Sequence, residues 1–88
     1  MRWETRRTAT ERLFVQVGAF AQRDNAQKLV ARLRSNGFGN SFIVTERDGS
    51  RTLHRVRLGP LGSAQEFDEL SSRLRKLGVG DSRLVVER

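Results

Sequence analysis

The stretch Phe14-Val-Gln-Val-Gly-Ala-Phe20 returns in altered form as Arg55-Val-Arg-Leu-Gly-Pro-Leu61. Aligning Gly18 with Gly59 sets an offset of 41 residues (59 − 18), and this register continues without a gap to the C-terminus. It pairs, among others, Val15 with Val56, Leu29 with Leu70, Leu33 with Leu74, Gly37 with Gly78 and Val44 with Val85. The chain is therefore a duplicated unit, and one copy cannot bury its apolar face alone.

Length and composition indicate one small domain. A chain of 88 residues buries roughly 60% of its unfolded surface. It has no cysteine, so the core must come from aliphatic packing without a disulfide or a Cys-based zinc site. No apolar run approaches the ~20 residues of a membrane span. Residues 1–7 lack the apolar segment of a signal peptide, so any export signal of a parent protein is expected outside this sequence.

The formal net charge is +7, from 17 Lys and Arg against 10 Asp and Glu, and only Lys28 and Lys76 are lysines. A balance this basic suits an anionic partner such as nucleic acid, membrane headgroups or a carboxylate-bearing polymer. Solubility alone is an equally good explanation, so charge does not choose the partner.

Residues 1–12, including Trp3, show no apolar periodicity and are predicted to be a linker or arm, which leaves residues 13–88 as the domain. Residues 13–19 alternate as a strand does. A helix then begins near Asp24 or Asn25 as N-cap and ends at Gly37. Its apolar stripe is formed by Ala26, Leu29, Val30 and Leu33.

The second half repeats this order. Strands are predicted over 41–46 and 53–58, joined by an Asp48-Gly49 turn, and residues 59–62 break the second of them. Ser63 and Glu66 have capping-box spacing and open a helix that ends at Gly78, followed by a strand over 83–86. The stripe of this helix is formed by Phe67, Leu70, Leu74 and Leu77.

The order β-α-β-β-α-β predicts an α+β, ferredoxin-like or RNP-like fold. Right-handed crossovers place both helices on one face of a four-stranded antiparallel sheet, with the first and third strands central. The helical stripes need an apolar floor, which Val15, Val17, Val56 and Leu58 supply. Strand alternation then sends the intervening residues to the open face. These are Phe14, Gln16, Leu53, Arg55 and Arg57, and, by the repeat, Phe42, Val44, Arg83 and Val85.

An uncovered sheet face that carries aromatic residues is an exposed apolar patch, and such a patch indicates a binding site. Phe14 and Phe42 are suited to stack on rings, and Gln16 to donate and accept hydrogen bonds. Arg55 and Arg57 are suited to bind carboxylates or phosphates. The alternative is that these arginines are solvated or paired with Glu46 or Glu87, at about 0–1 kcal/mol each.

Catalysis has little support in the sequence. His54 is the only histidine, and its strand parity matches Val56 and Leu58, so a buried or edge imidazole is favoured over a general base. One histidine and scattered carboxylates give no metal-ligand spacing. Gly18 and Gly59 each end a predicted strand and are interpreted as turn residues, not as a phosphate loop. We expect neither enzyme activity nor a cofactor or metal.

The segments Phe14-Val-Gln-Val-Gly-Ala-Phe20 and His54-Arg-Val-Arg-Leu-Gly-Pro60, with the helix between them, resemble the SPOR (sporulation-related repeat) family of bacterial envelope proteins. The resemblance covers residues 13–86 and implies a peptidoglycan-binding module that prefers glycan strands without stem peptides and gathers at the division septum. The Arg-rich sequence resembles the SPOR domain of septal lytic transglycosylases of the rare lipoprotein A type. The implied location is the periplasm or cell envelope, and the parent an outer-membrane lipoprotein.

In this family the binding surface is the open sheet face around the first strand. The resemblance and the strand parity together predict a glycan-binding set of Phe14, Gln16, Gly18, Ala19, Phe42, Val44, Leu53, Arg55, Arg57 and Val85. The expected partner is a denuded glycan of N-acetylglucosamine and N-acetylmuramic acid, bound by a monomer without nucleic acid and without a membrane span in this chain.

Two alternatives remain open. The same topology and the +7 charge also suit an RNA-binding module, although the aromatic pair of an RNP strand is missing. A protein-interaction module that pairs through an edge strand is the other alternative.

Overall fold

Six elements follow one another in the predicted order in a computed structural model of the chain. The structure describes residues 12–88, so the predicted arm with Trp3 lies outside the described residues except for Arg12. The elements are β1 (Arg12–Phe20), α1 (Arg23–Ser35), β2 (Ser41–Asp48), β3 (Arg51–Leu61), α2 (Ala64–Lys76) and β4 (Arg83–Glu87).

The four strands form one antiparallel sheet in the order β2-β3-β1-β4, with β1 and β3 central as predicted. The Asp48–Arg51 pair closes the predicted hairpin between β2 and β3, and Gly49 in its turn has φ +67°. This is the α+β, RNP-like arrangement expected from the β-α-β-β-α-β order. Neither α1 nor α2 is long and apolar enough to span a bilayer.

The core lies between the two helices and the centre of the sheet. The predicted floor is confirmed: Val15, Val56 and Leu58 are fully buried and Val17 is 5% exposed. The two helices place their own buried residues against this floor. From α1 these are Ala26, Val30 and Leu33, and from α2 Leu74, with Leu29, Phe67, Leu70 and Leu77 half-buried beside them.

Both helices end as the sequence predicts. The Phe38 amide donates to the Leu33 carbonyl at 2.9 Å, and the equivalent Val79 amide donates to Leu74 at 3.0 Å. Gly37 and Gly78 lie between them with φ +93° and +84°, a left-handed conformation that favours glycine. The repeated Gly-apolar pair therefore forms the same C-terminal motif twice.

The helix starts differ from the prediction. Gln22, not Asp24 or Asn25, is the N-cap of α1, and no side chain bonds the free amides there. Ser63 is the N-cap of α2 as predicted, but its hydroxyl makes no cap hydrogen bond. Glu66 instead accepts from the Gly62 amide at 2.6 Å, so half of the predicted capping box forms, one residue earlier.

The prediction that residues 59–62 break the third strand is wrong, because β3 continues to Leu61. The β1–β3 register shifts between the pairs Leu13–Leu61 and Val15–Leu58, so the strand bends instead of ending. Gly59 has φ +142°, and a Cβ there would lie 2.8 Å from Phe14 Cδ1. Glycine thus lets the Phe14 ring lie directly on the β3 backbone.

The strand β4 is short and lies at the edge of the sheet. It pairs only with residues 12–16 of β1, which leaves residues 17–20 of β1 without a neighbour on that side within the described chain. Leu84 pairs with Val15 and Val86 with Leu13, so both face the helix side as predicted, yet they are 38% and 47% exposed. The edge position explains this exposure, since α2 does not extend over it.

Substitution Leu33→Ala should lower the free energy of unfolding by roughly 2–5 kcal/mol, because it opens a cavity in the fully buried core. The matched change Leu84→Ala, at the exposed edge, should cost less than about 1 kcal/mol. Urea denaturation followed by circular dichroism measures both. Equal losses for the two variants would contradict the assignment of the core.

Candidate functional site

The open face of the sheet carries one row of residues that crosses all four strands. Phe42 pairs with Arg57, Arg57 pairs with Gln16, and Gln16 pairs with Arg83. Directly paired residues of neighbouring antiparallel strands lie on the same face of the sheet. The row is three strand spacings wide, roughly 14 Å.

Arg57 is the centre of this row. It is only 7% exposed, and its Nη1 donates to Glu87 Oε2 at 2.9 Å while its Nε donates to Gln16 Oε1 at 3.3 Å. Because the Gln16 oxygen accepts from Arg57, the amide NH₂ of Gln16 is left to donate to a ligand. Gln16 itself is 8% exposed, so its orientation is held by the surrounding side chains.

The second cationic residue is also paired. Arg55 Nε lies 2.8 Å from Glu46 Oε1, with side-chain exposures of 23% and 44%. Together with the Arg57–Glu87 pair, which reaches across β1, this confirms the alternative in which these arginines pair with Glu46 and Glu87. The cationic strip expected from Arg55 and Arg57 is thus neutralised in this structure.

The two predicted aromatic residues are in contact. The rings of Phe14 and Phe42 lie 5.6 Å apart at 76°, an edge-to-face arrangement. Phe14 is 9% exposed and Phe42 is half-buried, so Phe42 is the more accessible ring. Beside them lies a shallow groove of about 360 Å³, bordered by Arg12, Val44, Glu46, Arg57, Glu87 and Arg88.

Four more predicted residues lie on the open face. Val44 pairs with Arg55 and Leu53 with Glu46, while Val85 pairs with Phe14. All three are half-buried, and Ala19, opposite Arg55, is exposed.

Gly18 lies on the other face. The register of β1 against β3 shifts between Gln16 and Gly18, and Gly18 pairs with the buried Val56. A Cβ on Gly18 would lie 3.3 Å from Leu29 of α1, which shows that this position points toward the helices. Gly18 therefore does not line the open face with the rest of the predicted set. Strict alternation along the strand would place Gly18 on the open face, but Val17 is an extra residue that shifts the residues after it.

Arg83 was assigned to the open face by the repeat but was not included in the predicted binding set. It is exposed, it pairs with Gln16, and it makes no ion pair with any other residue of the described range 12–88. It also borders a groove of about 600 Å³ along the unpaired part of β1. The alternation of residues along β4 was the sequence signal from which Arg83 could have been added to the predicted binding set.

His54 has no catalytic geometry. It is half-buried, its Nδ1 lies 2.9 Å from Thr45 Oγ1, and it pairs with Phe20 on the helix side of the sheet. Across residues 12–88 there is no group of three or more His, Cys, Asp or Glu side chains that would hold a metal ion.

The Arg57–Glu87 pair should contribute more to stability than the Arg55–Glu46 pair. In double-mutant cycles with alanine we expect a coupling of roughly 1–2 kcal/mol for the first and roughly 0.2–1 kcal/mol for the second. The reason is burial, since the Arg57 side chain is 9% exposed and that of Arg55 is 23% exposed. Urea titrations of the wild type and the six variants give both couplings, and a larger value for Arg55–Glu46 would refute this ranking.

The sequence and the fold both match one family of known proteins. The SPOR domain model matches residues 9–84. Two relatives, the endolytic peptidoglycan transglycosylase RlpA of Pseudomonas aeruginosa strains UCBPP-PA14 and PAO1, are each 41% identical over 73 residues. The match covers 83% of this chain and 21% of each relative, so the chain spans about a fifth of their length.

A solved structure gives the same result. The crystal structure of the RlpA SPOR domain from Pseudomonas aeruginosa is similar with a TM-score of 0.76 and 41% identity. This similarity covers 83% of the present chain and 96% of the crystallised one. The resemblance that was based on the two strand motifs is therefore confirmed, and the chain belongs to the SPOR domain family.

Proposed function

We propose that this domain is a non-catalytic peptidoglycan-binding module that recognises glycan strands without stem peptides. Membership of the SPOR family and the peptidoglycan transglycosylase activity in the names of its RlpA relatives support a cell-wall ligand. One structural observation carries the proposal: Arg57 orients the Gln16 amide on the uncovered face, and the half-buried Phe42 ring lies on the other side of Arg57 in the same row.

This arrangement suits N-acetyl sugars. The apolar faces of the sugar rings pack on the accessible side of the Phe42 ring. The acetamido carbonyl accepts from the Gln16 NH₂, which the bond from Arg57 to the Gln16 oxygen leaves unused. Glu46 and Glu87 are about half exposed and use one oxygen each on an arginine, so their other oxygens accept from sugar hydroxyls.

Stem peptides oppose binding in two ways. They convert the lactyl carboxylate of N-acetylmuramic acid into an amide, which removes its charge, and they add bulk above a face that is nearly flat. A binding surface that discriminates through lost pairing and through clash gives selectivity without a separate recognition site.

The proposal extends to the parent protein. A domain of residues 13–88, carried after an arm of residues 1–12, would bring its parent to denuded glycan at the division septum. The similarity to the peptidoglycan transglycosylase RlpA supports a parent transglycosylase. We place this parent, a lytic enzyme of the rare lipoprotein A type, at the outer membrane and in the periplasm. In this proposal the catalytic part of the parent lies outside this domain.

The RNA-binding alternative is less well supported. Phosphate recognition along a nucleic-acid backbone requires several free cations, but Glu46 and Glu87 already pair with Arg55 and Arg57 and leave Arg83 as the exposed arginine of the row that crosses this face. Phe14, the aromatic residue of β1 on the open face, is 9% exposed and cannot receive a base without repacking.

Substitution Gln16→Ala should weaken binding to amidase-treated sacculi by roughly two- to tenfold, because one or two hydrogen bonds to the sugar are lost. The matched control is Gln65→Ala, which removes an exposed amide on α2. Pull-down at increasing protein concentration gives both affinities, and thermal melts of both variants check that the fold is intact.

Two results would contradict the proposal. One is binding of Gln16→Ala as tight as that of Gln65→Ala, and the other is wild-type binding to untreated sacculi as tight as to amidase-treated ones. Salt-sensitive binding of the wild-type protein to a single-stranded RNA oligonucleotide, without binding to sacculi, would favour the RNA alternative.

A further inference from the structure

We propose that Arg83 is the residue that pairs with the ligand's carboxylates, and that Arg55 and Arg57 are not. This inference rests on the proposed glycan-binding function. It assigns the charge recognition to the β4 edge of the face instead of to the two central arginines, although these are the ones that the strand motif points to.

The central arginines have no free charge to offer. A ligand carboxylate that reached Arg57 would have to displace Glu87 from its 2.9 Å contact and leave that displaced carboxylate nearby. Such an exchange replaces one ion pair with another and adds repulsion, so its net gain is small. The 2.8 Å pair between Arg55 and Glu46 presents the same obstacle.

Arg83 differs from these arginines in every relevant respect. It is exposed, and within residues 12–88 it makes no ion pair, although Asp81 borders the same groove. It lies directly opposite Gln16, about one strand spacing of 4.8 Å away across the sheet. A sugar whose acetamido group binds Gln16 therefore has its neighbouring substituents within reach of the long Arg83 side chain.

The groove beside Arg83 has room for those substituents. Since β4 stops pairing at Arg83, the β1 edge from Val17 to Phe20 borders an open space of about 600 Å³. Arg12 is the other exposed arginine of β1 and β4 on the open face, but it lies four residues from Gln16 along β1, roughly 13 Å away, and it borders the other groove. Arg83 is thus the position at which a lactyl carboxylate is paired and a lactyl amide is not.

The test uses two forms of one ligand. A peptide-free glycan with free lactyl carboxylates is compared with the same glycan after the carboxylates are converted into methyl amides, by calorimetry at low ionic strength. The wild-type domain should bind the carboxylate form about two- to fivefold more tightly, as expected for one exposed ion pair.

Substitution Arg83→Gln should abolish this preference and leave binding to the amide form unchanged. Arg75→Gln is the matched control, since it makes the same charge change at an exposed position of α2. Both Arg75→Gln and Arg55→Gln should keep the wild-type ratio of the two affinities.

Several outcomes overturn the inference. One is an Arg83→Gln variant that still prefers the carboxylate form, and another is an Arg83→Gln variant that loses affinity for both forms equally. A third is an Arg55→Gln variant that no longer prefers the carboxylate form. Equal binding of both glycans by wild-type protein overturns it as well, while leaving glycan binding itself intact. Failure of the wild-type protein to bind either glycan contradicts the proposed function instead.

Discussion

The pairing of β1 with β3 is the constraint on which the rest of the structure depends. These strands hold the four apolar residues that form the floor for both helices, and the other two strands attach to their outer edges. In a domain this small, burial of that floor is the main favourable contribution to folding. Neither half of the duplication could supply it alone, since each contributes one central strand and one helix.

The duplication also places the candidate functional site. Gln16 and Arg57 are equivalent positions of the two halves, separated by the repeat offset of 41 residues, and they pair with each other across β1 and β3. The approximate two-fold axis that relates the halves therefore passes through this pair. Two identical residues at this pair would place an amide opposite an amide, or a guanidinium opposite a guanidinium. Divergence to an amide and a guanidinium creates the 3.3 Å hydrogen bond that orients Gln16.

The same symmetry operates on the helix side, where it serves stability. Arg32 and Arg73 are equivalent residues, and each reaches the C-terminal end of the other helix. Arg32 donates to the Leu77 carbonyl, and the Arg73 guanidinium lies 4.6 Å from the centre of the Phe38 ring. Cations near helix C-termini are favourable because they complement the partial negative charge there. On this side the halves remained alike, whereas on the open face they diverged.

The sequence by itself determined the order of elements, the C-terminal ends of both helices, the apolar floor and the central position of β1 and β3. These follow from local periodicity, from glycine conformation and from the handedness of crossovers, all of which act over short stretches of chain. Only the tertiary structure decided which arginines carry free charge. The partners Glu46 and Glu87 are 9 and 30 residues away from Arg55 and Arg57, and cross-strand register, not sequence spacing, brings them together. Register also decided the orientation of Gly18, because one extra residue in a strand moves those that follow to the opposite face.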